Sequence, residues 1–173
     1  MRKCKYNDLD EITENLYLGD YSASVDIHQL KEKGITKVLS VYDYTKGPKY
    51  DSSIMHKTIF IMDDVPQNII KYFGECLNFI KGDEKVLVHC MAGASRSATV
   101  VIAYLMWVNK WKFEEAFSFV KSKRPIACPN DGFQDQLKLF EKLLINNDYD
   151  INKIQFSKIN WNSDSLLLLY SFI

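Results

Sequence analysis

One stretch of the chain constrains the fold more than any other. Lys85-Val86-Leu87-Val88-His89 is apolar without alternation, and shortly after it Ala98 to Val108 is apolar nearly all round the helical circumference. A strand with no polar face must be buried on both sides, and a helix with no polar stripe must be buried on all of them. Both conditions are met in a layered fold, with the strand inside a sheet and the helix packed on it.

The flanking sequence fits that arrangement. Asn15 to Asp20 reads as a short strand ending in a turn, and Ser24 to Lys33 as a helix stopped by Gly34. Ile35 to Val41 and Lys57 to Met62 read as strands. Pro66-Gln67-Asn68 opens a helix carrying Ile69, Ile70, Phe73, Cys76, Leu77 and Ile80, which Gly82-Asp83 ends. Phe113 to Lys123 and Phe133 to Leu144 are two further helices with one apolar stripe each. Strands alternating with helices predict an α/β layered domain, and 173 residues with 47% hydrophobic content suit one domain with a real core. We place the domain at 1–147. From Asn146 the pattern weakens, and 148–173 is a divergent tail with three open fates: packing on the domain, meeting a partner, or staying loose. Its run Leu166 to Leu169 has no assigned element and would form a sticky patch if exposed.

Charge narrows the possible partners. Lys and Arg total 22 and so do Asp and Glu, which argues against a broad surface for nucleic acid or anionic lipid. An anion must therefore be met at one small site. The N-terminus is polar from Met1 to Asp8, without a secretory apolar core or a Met-Gly start, and no prenylation box is read at the C-terminus. The longest strongly apolar run, Val100 to Val108, is far short of the ~20 residues of a membrane span. The expected location is cytoplasmic, with the nucleus open. Cys4, Cys76, Cys90 and Cys128 are scattered with no CxxC pair, so neither structural zinc nor a disulfide framework is expected. All but Cys90 read as buried, inert thiols.

Between the buried strand and the buried helix lies His89-Cys90-Met91-Ala92-Gly93-Ala94-Ser95-Arg96-Ser97. This loop leaves the carboxyl end of a strand and enters the N-terminus of a helix, where amides are unpaired and the helix dipole is positive. The small residues Ala92, Gly93, Ala94 and Ser95 let the main chain curl, so that amides from Met91 onward point at one anion. Arg96 adds a planar fork matched to two phosphate oxygens. Cys90 faces the same positive centre, which favours its thiolate. A thiolate beneath a bound phosphoryl group is placed for in-line attack, giving a phosphocysteine, while Ser97 donates to the sulfur and helps it leave afterwards.

This segment resembles the HCxxGxxRS signature of cysteine-dependent protein phosphatases, and the chain from about Glu11 to Leu144 is similar to the dual-specificity phosphatase family. Asn15 to Ser24 resembles its N-terminal strand and turn, Asp63-Asp64-Val65-Pro66-Gln67-Asn68-Ile69 its general-acid loop, and Arg124-Pro125 with Pro129-Asn130, Gly132-Phe133 and Gln136-Leu137 its closing motif. The resemblance implies a central mixed, mostly parallel sheet flanked by helices, and hydrolysis of phosphotyrosine and phosphoserine or phosphothreonine on proteins without metal or cofactor. A carboxylic acid on a mobile loop would protonate the leaving oxygen and then activate water. Asp63 and Asp64 are the candidates; the family's acid stands five residues before the Asn or Asp opening the next helix, which from Asn68 favours Asp63. His89 is expected to orient the loop. Asn130 is expected either to hydrogen-bond backbone near it or simply to cap a helix. His28 and His56 read as surface or core histidines.

The implied partner is a phosphorylated protein, neither nucleic acid nor membrane, with the oligomeric state open. The rival readings are a non-catalytic phospho-reader, which would typically lack the Cys or the Arg, and a lipid or RNA phosphatase. Against the last two stand the uncharged Met91, Ala92, Ala94 and Ser95 and the balanced charge.

Overall fold

In the computed structural model, which describes residues 8–44 and 47–161, the unalternating strand lies at the centre of the sheet. Five strands, β1 (Leu9–Thr13), β2 (Leu16–Gly19), β3 (Ile35–Tyr42), β4 (Met55–Phe60) and β5 (Lys85–His89), stand in the order β1-β2-β5-β3-β4. β1 pairs antiparallel with β2; the other three pairings are parallel. The sheet is therefore mixed and mostly parallel. Successive side chains of β5 point to opposite faces, and both are apolar: Val86 and Val88 join one buried cluster, Leu87 the other.

Helices cover the two faces unequally. On the thin side, α1 (Tyr21–Val25) and α2 (Ile27–Glu32) supply Ala23, Leu30 and the partly buried Ile27 to the cluster around Tyr17, Val38 and Leu87. On the thick side lie α3 (Phe73–Ile80), α4 (Arg96–Asn109), α5 (Phe113–Lys123) and α6 (Asp131–Asn146). α4 is buried along nearly its whole length, from Arg96 to Met106, with Tyr104 alone half-exposed in that span.

Three departures from the sequence reading have physical causes. The helix expected over 24–33 is two helices, because Asp20 and Asp26 each accept a first-turn amide, from Ala23 (3.0 Å) and Gln29 (2.9 Å). An aspartate that caps cannot also continue the preceding helix. The helix expected from Pro66 begins later, with a 3-10 turn over Ile70–Tyr72 before α3. Its leading amides, those of Ile69 and Ile70, donate to Gln136 Oε1 on α6 (2.9 and 3.0 Å). Strand β1 had no sequence assignment; its register shifts between Glu11 and Thr13, which breaks the alternation a strand needs to be read.

The segment after α6 does not leave the domain. Ile151, Ile154 and Phe156 belong to the main buried cluster, and Trp161 is buried as well. Trp107 Nε1 donates to the Tyr149 carbonyl (3.0 Å) and Asn68 Nδ2 to that of Ile159 (2.7 Å). A boundary at 147 thus falls inside continuous packing up to residue 161. The Leu166–Leu169 run lies outside the described residues. Gly74 is what admits Phe156: a Cβ there would come within 2.6 Å of the phenyl ring, which also meets Phe140 at 6.0 Å. Phe156→Ala should therefore lower unfolding free energy by about 3 kcal/mol, read as a shift in urea midpoint at constant slope.

Candidate active site

All four parallel strands end on one side of the sheet, and Cys90 leaves the central one there. From Cys90 to Ser95 the main chain curls beneath the N-terminus of α4 with its carbonyls turned outward. His89 Nδ1–H points at the Cys90 carbonyl (3.2 Å), and Tyr21 N–H donates to that of Met91 (3.2 Å). Arg124 donates to the next two, through Nη2 to Ala92 (3.3 Å) and Nε to Gly93 (2.7 Å). Cys128 N–H takes Ala94 (2.7 Å), and Thr99 takes Ser95 with both its N–H (2.9 Å) and its hydroxyl (2.8 Å). With every carbonyl tied to the outside, the amides are left to converge on the inside. Gly93 makes the curl possible at φ +64, and a Cβ there would collide with the Gly19 carbonyl and the Arg124 guanidinium.

The sulfur of Cys90 sits in this cradle and is buried. It accepts from Gly93 N–H (3.2 Å) and from the Ser97 hydroxyl (3.1 Å). Arg96, also buried, donates through Nη1 to Asp43 Oδ1 (2.8 Å) and the Ile61 carbonyl (3.1 Å). Its Nε is buried with no hydrogen-bond partner and lies 3.7 Å from Asp63 Oδ2. Holding Nη1 from behind presents the Nε/Nη2 edge of the fork, the one that reads two oxygens at once. Asp43 is half-exposed, and the Arg96 hydrogen bond holds its carboxyl below the usual range.

The two adjacent aspartates part company here. Asp63 Oδ1 accepts from Ser95 Oγ (2.7 Å) and Asn130 Nδ2 (2.9 Å), which brings it to the rim of the cradle. Asp64 is exposed, and among the described contacts its carboxylate accepts only from the neighbouring Val65 N–H (2.9 Å). Asn130 caps a helix, one of the two roles open to it, and its contact to the loop is with a side chain and not with backbone. Its N–H donates to Ser95 Oγ (3.1 Å), its Oδ1 caps α6 at Phe133 N–H (3.0 Å), and its Nδ2 holds Asp63. Met91 is partly exposed, and Asp43 and Ile61, the partners of Arg96, line a hollow with Phe60, Met62 and Gln67.

Residues the sequence reading passed over are Asp43, which directly follows β3, Ser40, which contacts His89, and Asp10, which pairs with Arg124 Nη1 (2.6 Å). The first had a findable signal: an acidic residue at the carboxyl end of a parallel strand beside the central one. Among the other cysteines, burial pushes the Cys76 thiol up to about 12, whereas Cys128 is exposed, contrary to the expectation of a buried thiol. Cys4 lies outside the described residues.

The family model for the dual specificity phosphatase catalytic domain matches residues 16–143. The chain belongs to this family. It is 40% identical over 140 residues to dual specificity protein phosphatase 22-B of Danio rerio, covering 78% of this chain and 75% of that protein. Dual specificity protein phosphatase 1 of Arabidopsis thaliana is 38% identical over 135 residues, covering 76% and 68%. Among solved structures, human tyrosine phosphatase-like serine/threonine/tyrosine-interacting protein superposes with a TM-score of 0.76 at 33% identity, covering 79% of this chain and 97% of that one. DUSP15 gives 0.75 at 30%, covering 85% and 97%. The chain is thus a phosphatase of the dual-specificity kind, acting on phosphorylated proteins, and no helix among the described residues is long and apolar enough to cross a membrane.

His89 gives the site a pH signature in stability. Its ring is fully buried, which pushes its pKa from the ordinary 6.5 down to about 4. As pH falls through 6.5 the unfolded chain takes up a proton that the folded ring refuses, so stability is lost until the folded ring also protonates near 4. Between those limits the wild type should lose about 3 kcal/mol more than a His89→Gln variant, measured by urea unfolding across the range.

Proposed function

We propose that the protein hydrolyses phosphotyrosine and phosphoserine or phosphothreonine side chains in two steps through a phosphocysteine at Cys90. The observation that carries this is the pairing of a sulfur held by Gly93 and Ser97 with a buried guanidinium whose Nε has no partner. A buried donor left unsatisfied costs stability, and a phosphate oxygen would remove that cost.

In the first step the Cys90 thiolate attacks phosphorus, an S–P bond forms as the P–O bond to the substrate breaks, and Asp63 gives its proton to the departing oxygen. Arg96 and the inward amides of Met91 to Arg96 meet the equatorial oxygens. In the second step Asp63 takes a proton from water as its oxygen attacks phosphorus, and the S–P bond breaks. The thiolate returns to the Ser97 hydroxyl and the Gly93 amide. Asp63 is favoured over Asp64 because Ser95 and Asn130 hold it at the cradle. His89 and Asn130 position the loop and the acid.

Turnover of an aryl phosphate in the presence of a metal chelator, followed by release of phosphate from phosphotyrosine and phosphoserine peptides, tests the scheme. Cys90→Ser should abolish both activities. Asp63→Asn should cost roughly 10²–10⁴-fold on the phosphoserine peptide and much less on an aryl phosphate with a good leaving group. Asp64→Asn should stay within about twofold, as an exposed position outside the chemistry would. Turnover persisting in Cys90→Ser would sink the covalent scheme, and an inactive wild type that still binds phosphopeptide would favour the phospho-reader.

A further inference from the structure

The parallel register of β3, β4 and β5 lines up three polar side chains behind the nucleophile. Ser40 on β3 stands opposite His89 on β5, with its Oγ 2.6 Å from His89 Nε2. The same oxygen is 2.8 Å from Nε2 of His56 on β4. On its far side His89 Nδ1 faces the Cys90 carbonyl at 3.2 Å.

The protons in this chain can be assigned from its ends. A carbonyl only accepts, so His89 Nδ1 carries a hydrogen, and burial keeps the ring neutral, so its Nε2 is bare. Ser40 must therefore donate to His89. Its one hydrogen is then spent, and toward His56 it can only accept. That requires the hydrogen of a neutral His56 on Nε2. His56 is half-buried, which lowers its pKa and favours that neutral form. Its other neighbours are Thr58 Oγ1, 3.4 Å from the same Nε2, and Tyr50, whose ring meets the imidazole edge-on at 4.8 Å while its hydroxyl is committed to the Ser24 carbonyl. His89 is flanked by the rings of Tyr42 (5.6 Å) and Tyr21 (6.4 Å).

We propose that His56 is a positioning residue for Cys90, acting through Ser40 to fix the tautomer of His89 and thereby the outward orientation of the Cys90 carbonyl. A His56 ring with its hydrogen on Nδ1 would compete for the single Ser40 hydrogen. His89 would then lose its donor, or move its own hydrogen to Nε2 and release the Cys90 carbonyl. A carbonyl freed at that point can turn toward the cradle and oppose an anion there. The proposal rests on the reading of Cys90 as nucleophile, but its structural half can be judged without turnover.

Two variants separate donation from packing. His56→Phe keeps the ring against Tyr50 and removes the donor, whereas His56→Gln returns an N–H at a similar reach. Imidazole nitrogen NMR should show His89 as the Nδ1–H tautomer in the wild type and His56→Gln, and a mixture in His56→Phe. The pH at which iodoacetamide labels Cys90 half-maximally, followed by mass spectrometry, should rise in His56→Phe and return in His56→Gln. On an aryl phosphate, kcat/KM should fall roughly fivefold to tenfold in His56→Phe, the size of one hydrogen bond. Ser40→Ala should reproduce this, and the double variant should cost no more than either alone. An unchanged His89 tautomer and labelling profile in His56→Phe overturns the proposal, as does an equal defect in His56→Gln. A wild type without turnover defeats the catalytic reading and leaves the NMR and labelling arms to decide this one.

Discussion

The site depends on a buried guanidinium that need never touch substrate. Arg124 is 1% exposed at the end of α5, and it spends its hydrogens on two loop carbonyls and on Asp10 of the edge strand β1. Burying such a charge is costly unless its donors are met, and here the loop carbonyls and a carboxylate meet them. The same bonds decide which way the loop faces. With the carbonyls of Ala92 and Gly93 claimed from outside, the Gly93 amide between them is turned toward the sulfur. Gly93 is fixed as glycine by the same close approach. Strand, loop and helix are thereby welded at one point, which explains why an edge strand with a bulge is part of the machinery.

Electroneutrality and phosphate chemistry are compatible on these terms. In the proposed scheme attraction comes from oriented amides, the end of α4 and one arginine, while Asp43 and Asp63 stand close to that arginine as counter-charges. The result is a short-ranged positive focus inside a neutral molecule, suited to one phosphorylated side chain. Long polyanions need charge spread over a surface, which the equal count of acidic and basic residues does not supply.

Much of this was legible because it is local. β5 and α5 begin and end where their apolar patterns place them, and the signature loop is contiguous in sequence. The parts that escaped reading join distant residues. Asp10 and Arg124 are 114 positions apart, Asp43 and Arg96 are 53 apart, and Ser40 and His89 are 49 apart. Nothing in the neighbourhood of His56 marks it as more than a core histidine; only the register of three strands puts Ser40 between it and His89. The split of the 24–33 helix was missed for the opposite reason. Asp26 is a local signal, but an aspartate within an apolar helical spacing also fits an exposed helical position.

The loop carrying Asp63 has fixed ends. Ile61 is held by the Tyr42 carbonyl at its N–H and by Arg96 at its own carbonyl. Val65 lies flat on Gly132, where any side chain would strike its backbone, and just beyond it Gln136 grips the Gln67 carbonyl together with the amides of Ile69 and Ile70. Only Met62, Asp63 and Asp64 stand between these anchors. A three-residue bridge spans at most about 10 Å when extended, so the tether is short. The Asp63 carboxylate is thus carried on a short segment held at both ends, with Ser95 and Asn130 meeting it at the rim.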